Sequence, residues 1–180
     1  MGGPDHFDSE GFQFEMLAGH HLRRRPVVAV IDGQGGGFGV AIIKEIRASF
    51  GDGVEIWALG ANSAATSAMM KAKANRGGTG ENVVRVSLPR VDAVMGSISV
   101  TWANAMMGEI TPALAEAVTT IRIPKILIPL AQEGIVLAGF AGEPLPHLVA
   151  DAIRQLALIA YSSSQNSKET DGPCVKLMST

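Results

Sequence analysis

One stretch near the start of the chain constrains the fold more than any other. The apolar run 27–31, mostly β-branched, leads through Asp32 into a turn that has five glycines among its seven residues, 33–39. Such a run predicts a strand buried on both faces, and the helical spacing of apolar residues from Phe38 to Phe50 predicts a helix directly after the turn. Glycines let a ligand approach the backbone, and a helix N-terminus presents free N–H groups. The stretch therefore predicts a parallel strand that ends at a site for phosphate or another anion.

The remainder of the chain continues the alternation of strands and helices. Its apolar runs predict strands over 54–60, 83–86, 91–96, 124–129 and 135–140, and its helical periodicities predict helices over 64–74, 100–107, 113–119 and 146–160. A second glycine-rich loop is expected over 75–82. Regular alternation of this kind predicts an α/β fold with three layers and a mostly parallel sheet of about five or six strands.

The totals fit one domain in a reducing compartment. The 180 residues suffice for one sizeable core, which we place at 25–160, with a flexible extension over 1–24 and a disordered, serine-rich tail over 161–180. A hydrophobic content of 47% predicts a well-buried interior or a homo-oligomer interface. The net charge of −2 argues against general nucleic-acid binding, and the single cysteine excludes a disulfide framework. With no membrane-length apolar run and no secretory signal, the expected location is cytoplasmic.

The spacing of the glycines selects among known phosphate-binding turns. A Walker A loop would end in Gly-Lys-Ser/Thr, whereas Gly39 is followed by Val40 and Ala41. The spacing G-x-G-x-x-G fails as well, but the looser G-x-x-x-G-x-G is filled by Gly33, Gly37 and Gly39. That pattern resembles the cofactor turn of short-chain dehydrogenases, which makes NAD or NADP the first candidate among nucleotides and dinucleotides.

Two further checks limit the dehydrogenase interpretation. An NAD site usually has an acidic residue about 20 residues beyond the glycines, where it binds the ribose. Here that position falls at 59–62, which contains no acid, although Asn62 could bond a ribose. The only tyrosine, Tyr161, is followed by Ser162–Gln165 and so lacks the lysine of Tyr-x-x-x-Lys. The sequence therefore predicts cofactor binding without that catalytic apparatus, and we assign no catalytic residue and no metal site.

Several separated motifs are shared with one known family. The segments are 29–37, 58–62, 74–82, 108–112 and 125–129, in that order. On these motifs the chain resembles a small prokaryotic Rossmann-like family of unknown function over about residues 26–158. The resemblance implies a Rossmann-like three-layer fold and brings no activity with it. A weaker similarity to the tubulin-like cell-division GTPases of bacteria rests on the glycine-dense first turn and on Gly77–Gly80.

The candidate ligand site gathers polar and glycine residues from four segments. Its expected members are Asp32, Gly33, Gln34, Gly35, Gly36, Gly37, Gly39, Asn62, Asn75, Arg76, Thr79 and Glu109. In this interpretation the glycine turn binds the phosphates of a small molecule, Asn62 binds the ribose, and Arg76 closes over the site. Two alternatives stay open: a non-catalytic regulatory or scaffold protein that senses a small anionic metabolite, and an oligomer-forming GTP binder of the tubulin type.

Overall fold

A five-stranded parallel sheet forms the centre of the molecule. The computed structural model describes residues 25–130, 135–140 and 142–169, with side chains up to residue 160. The strands are β1 (Val27–Asp32), β2 (Glu55–Gly60), β3 (Arg76–Thr79), β4 (Ala93–Ser97) and β5 (Lys125–Ile128). Their order is β3-β2-β1-β4-β5, and every pairing is parallel. The predicted α/β, Rossmann-like fold is therefore confirmed, with five strands.

Helices cover both faces of this sheet and give it three layers. They are α1 (Gly37–Phe50), α2 (Ser63–Lys71), α3 (Glu81–Ser87), α4 (Pro112–Thr120) and α5 (Leu145–Glu169), with 3₁₀ turns at Leu88–Arg90 and Ile98–Thr101. All six residues of β1 are buried, as a central parallel strand requires. Val28 and Val30 pack with α1, α2 and α5, whereas Ala29 and Ile31 pack with α3 and α4.

The helix starts follow from local sequence chemistry. Asn62 caps α2, because its side-chain oxygen accepts a hydrogen bond from the Ala65 N–H at 2.8 Å. Thr111 caps α4 in the same way through the Leu114 N–H, and Pro112 occupies the first turn of that helix. Among the described helices, none combines the length and the apolar character needed to cross a bilayer.

Two predicted elements around residue 80 were wrong. Residues 76–79 lie in strand β3 rather than in a loop, because backbone pairing with β2 needs no apolar side chains. The predicted strand 83–86 is part of helix α3. A helix places Val84 and Leu88 four residues apart on the same face, and both are buried in the core beneath α4.

Three later predictions also need correction. The predicted helix 100–107 is a 3₁₀ turn followed by a loop in which Asn104, Met106 and Met107 have positive φ, which an α-helix does not tolerate. The predicted strand 135–140 shows one bridge, at residue 135, and no strand. The helix predicted to end at 160 continues to Glu169, since no glycine or proline interrupts 161–169. The predicted extension 1–24 and the tail beyond 169 lie outside the described residues.

Candidate functional site

The turn after β1 lies where the strand order reverses. From β1 the chain moves to β2 on one side, and it later returns to place β4 on the other side. In open parallel sheets, ligands bind in the crevice outside the carboxyl ends of the strands at such a switch point. Asp32 ends β1 and Ser97 ends β4, so both lie at this crevice.

Asp32 organises the backbone of the glycine turn. It is buried, its Oδ1 accepts from the Gly33 N–H at 2.7 Å, and its Oδ2 accepts from the Gly39 N–H at 2.6 Å. Burial raises the pKa of Asp32 above its ordinary value of 3.8, the amide hydrogen bonds lower it, and the nearby charge of Glu109 raises it further. The carboxyl group thus ties the strand end to the first turn of α1.

Glu109 reaches the same turn from the loop between β4 and α4. Its Oε2 accepts a hydrogen bond from the Gln34 N–H at 2.6 Å and another from Asn62 Nδ2 at 2.9 Å. No described residue donates to its other oxygen, Oε1. The structure therefore joins the ends of β1 and β2 to a residue far away in sequence.

The structure requires glycine at four of the five glycine positions of the turn, for one of two reasons: a side chain would collide with a neighbour, or the backbone has a positive φ. A side chain on Gly33, Gly36 or Gly39 would collide with Glu109, with the backbone of Ala65 or with Met69, respectively. Gly35 has a φ of +85°, a conformation that side chains rarely adopt. Gly37 has neither constraint: a Cβ there would meet no heavy atom within 4 Å. Among the described glycines, only Gly37 lacks both reasons.

Ser97 is a candidate site residue that the sequence did not reveal. Its side chain is 1% exposed, and its Oγ has no hydrogen-bond partner in the described part of the chain. Gly96 pairs with Ile31. The next residue on each strand, Ser97 on β4 and Asp32 on β1, therefore lies on the same face of the sheet. A buried hydroxyl without a partner costs free energy, so this position calls for a water molecule or a ligand atom. The polar turn at 97–99 was the only sequence signal.

Thr79 and Thr111 lie on the same edge of the sheet, each in a contact of its own. Thr79 ends β3, and its hydroxyl oxygen is 2.7 Å from that of Thr66. Thr111 donates to Glu81 Oε2 at 2.6 Å. The first contact joins the end of β3 to α2, and the second joins the start of α3 to the N-cap of α4.

Asn75 and Arg76 lie at the opposite, amino end of the sheet. Asn75 Oδ1 accepts from the Ile56 N–H at 2.7 Å. Arg76 Nε lies 2.9 Å from Glu55 Oε1, and its guanidinium lies 5.2 Å from the ring centre of Trp57. The structure does not bring these two residues to the glycine turn, and their assignment to a ligand site stays a prediction.

Comparison with known families gives one match. A profile described as "Domain of unknown function (DUF3842)" covers residues 27–160, well over half of the chain. The chain belongs to the DUF3842 family. The resemblance expected from the motifs is thereby confirmed at the level of an uncharacterised family, whose description carries no activity. A search of the curated proteins finds no match.

The DUF3842 domain also has an open cleft away from the glycine turn. It measures about 850 Å³ and lies between β5 and α5, where Lys125, His147 and Arg154 are among its lining residues. None of the predicted site residues lines it. Within the described part of the chain, no three His, Cys, Asp or Glu side chains come together as metal ligands.

Proposed function

We propose that this DUF3842 domain binds a phosphate-bearing small molecule, with nucleotides and dinucleotides as the first class to test, at the turn between β1 and α1. The observation that carries the proposal is Gly37. It begins α1, and a side chain there would point into open space, so the fold itself does not require a glycine at this position. A ligand that lies against the backbone does require one.

The hydrogen bonding of the turn supports the same proposal. No acceptor in the described chain takes up the N–H groups of Gly35 and Gly37, which lie beside the positive end of the α1 dipole. The N–H of Gln34, the residue before Gly35, already binds a carboxylate oxygen, that of Glu109. The Gly36 N–H between them donates to Gly33 O at 2.9 Å, so the amides of Gly35 and Gly37 are the ones left in this turn for an anion.

A thermal-shift panel tests the proposal directly. The full chain is melted with NAD, NADP, ATP, GTP, FAD, a sugar phosphate and inorganic phosphate. A ligand at 100 times its Kd stabilises the folded state by about 2.7 kcal/mol, which raises the Tm by several degrees. A Tm that no member of the panel moves would contradict the proposal.

The proposal includes a cytosolic location and leaves the assembly state to measurement. The single cysteine, Cys174, fits a reducing compartment. Light scattering with and without the ligand found by the panel determines whether the predicted homo-oligomer forms.

A further inference from the structure

We infer that Glu109 accepts the vicinal hydroxyls of a ribose, so that the ligand of the glycine turn is a ribonucleotide whose 2′-hydroxyl is free. The inference rests on the proposed function, because it names the class of ligand that the same turn binds. It starts from the position of Glu109 relative to the ends of β1 and β2.

The carboxylate of Glu109 is held in place through one of its two oxygens. Oε2 receives both the Gln34 N–H and Asn62 Nδ2, whereas no described donor reaches Oε1. The side chain is half-buried rather than enclosed, and Oε1 is the oxygen left for a donor on a ligand. A fixed, charged acceptor with a free oxygen suits a hydroxyl donor, because hydrogen bonds to charged groups are stronger than neutral ones.

The position of this acceptor matches a function that β2 itself lacks. In dinucleotide-binding domains an acidic residue near the end of the second strand binds the ribose hydroxyls. Here the end of β2 has Gly60, Ala61 and Asn62. The Asn62 amide instead holds Glu109, a residue 47 positions later in the sequence. A carboxylate therefore lies beside the end of β2, although it is supplied by the loop after β4.

The loop that carries Glu109 is fixed at both sides. Ile110 is fully buried in the core beneath α4, and the Glu109 N–H donates to Met106 O at 3.2 Å. Met106 and Met107 both have positive φ, a conformation that costs free energy in residues other than glycine. The carboxylate is thus positioned by a specific loop conformation rather than by a mobile side chain alone.

The second, independent sign of a ligand in this crevice is Ser97. Its buried Oγ lacks a described partner and lies at the carboxyl end of β4, beside the end of β1. A ligand that crosses the switch point from the Asn62 side to the β4 side offers such a partner.

The charges around Glu109 favour a free 2′-hydroxyl over a 2′-phosphate. Asp32 lies close enough for its pKa to respond to Glu109, and no described lysine or arginine pairs with either carboxylate. Arg76 is paired with Glu55 at the other end of the sheet. A 2′-phosphate would be repelled here, so NAD should bind more tightly than NADP. The ligand 2′-deoxy-ADP lacks the hydroxyl that donates to Glu109, so ADP should bind more tightly than 2′-deoxy-ADP.

Calorimetric titration of the full chain tests the inference with four ligands: NAD, NADP, ADP and 2′-deoxy-ADP. For the wild type we expect NAD to bind at least about tenfold more tightly than NADP, and ADP at least about tenfold more tightly than 2′-deoxy-ADP, as loss of a charged hydrogen bond implies. Glu109→Gln should weaken NAD and ADP by about tenfold and remove most of the preference. Glu116→Gln, the same change at an exposed site on α4, should behave like the wild type.

The outcomes separate the inference from the proposed function. Equal affinities of the wild type for ADP and 2′-deoxy-ADP would overturn the ribose inference and leave phosphate binding in place. Tighter binding of all four ligands by Glu109→Gln would also overturn it, because Glu109 would then compete with the ligand's own phosphate. Binding of none of the four nucleotides would overturn the ribose inference, and the proposed function would be refuted as well only if no other member of the thermal-shift panel moved the Tm. If Glu109→Gln does not fold, the wild-type ratio between ADP and 2′-deoxy-ADP still decides.

Discussion

Gly37→Ala separates a glycine kept for a ligand from a glycine kept for the fold. A methyl group at this position meets no atom within 4 Å, and the residue does not have a positive φ. Alanine also restricts the unfolded chain more than glycine does. Such a compatible substitution stabilises a protein by about 0.4–1 kcal/mol. For a chain of this size that corresponds to a rise in Tm of about 1–4 °C.

The same substitution should weaken ligand binding. The methyl group would occupy the space through which a phosphate oxygen reaches the N–H groups of Gly35 and Gly37. Loss of one charge-assisted hydrogen bond of about 1.5–3 kcal/mol raises the Kd by about tenfold or more. We therefore expect opposite signs: greater stability of the free protein and lower affinity.

Differential scanning calorimetry of the free protein and isothermal titration with the ligand from the panel measure the two effects. Gly51→Ala is the control, since Gly51 also has open space around it but has a φ of +52° and caps the far end of α1. It should lose about 1–2 kcal/mol of stability and keep its affinity. The reasoning is refuted if Gly37→Ala binds the ligand as tightly as the wild type, or if it is destabilised.

Three further substitutions test the remaining contacts. The pKa of Glu55 lies below its ordinary value of 4.5, chiefly through the hydrogen bond from Trp57 Nε1, so its carboxylate stabilises the fold above pH 4.5 and ceases to do so as pH falls through the folded-state pKa. In urea titrations Glu55→Gln should accordingly lose less stability on acidification than the wild type does. Arg76→Ala should cost about 1 kcal/mol or less and leave ligand affinity unchanged; a tenfold loss of affinity would instead support the sequence-based assignment. Because the pKa of Asp32 is raised in the folded state, the free energy of unfolding should fall as pH rises from 3.8 through the folded-state pKa, and Asp32→Asn should abolish this slope in the same titrations. Asp32→Asn should also cost about 1–3 kcal/mol near neutral pH, because an amide leaves the Gly33 or Gly39 N–H unsatisfied.

The architecture was predictable because the strongest sequence signals lie in the central elements. The apolar run of β1, the periodicity of α1 and the caps at Asn62 and Thr111 are local features, and each corresponds to the element observed. The wrong secondary-structure predictions lie in the edge strand β3 and in the segments that connect the central strands. Strand β3 depends on backbone pairing with β2, and α3 depends on the core that Val84 enters, so neither could be derived from its own residues.

The sequence predicts the glycine turn of the candidate site, but it does not predict which residues from other elements contact that turn. Five glycines look equivalent in the sequence, whereas their surroundings divide them: contacts explain Gly33, Gly36 and Gly39, a positive φ explains Gly35, and Gly37 is left without a structural reason. That division depends on backbone and side-chain atoms of α2 and on side chains of the loop after β4, which approach the turn only in the folded chain.

The position of Glu109 follows from the same kind of long-range dependence. Its approach to the turn requires left-handed backbone at Met106 and Met107, and nothing in the type of these residues predicts that conformation. Once the loop is formed, the carboxylate contacts the Gln34 N–H and the Asn62 amide, which lie on two different strand ends. The end of β2 has no acidic residue in the sequence, but the fold places the carboxylate of Glu109 beside it. For this fold, a ribose site is excluded only when every loop at the carboxyl edge has been placed.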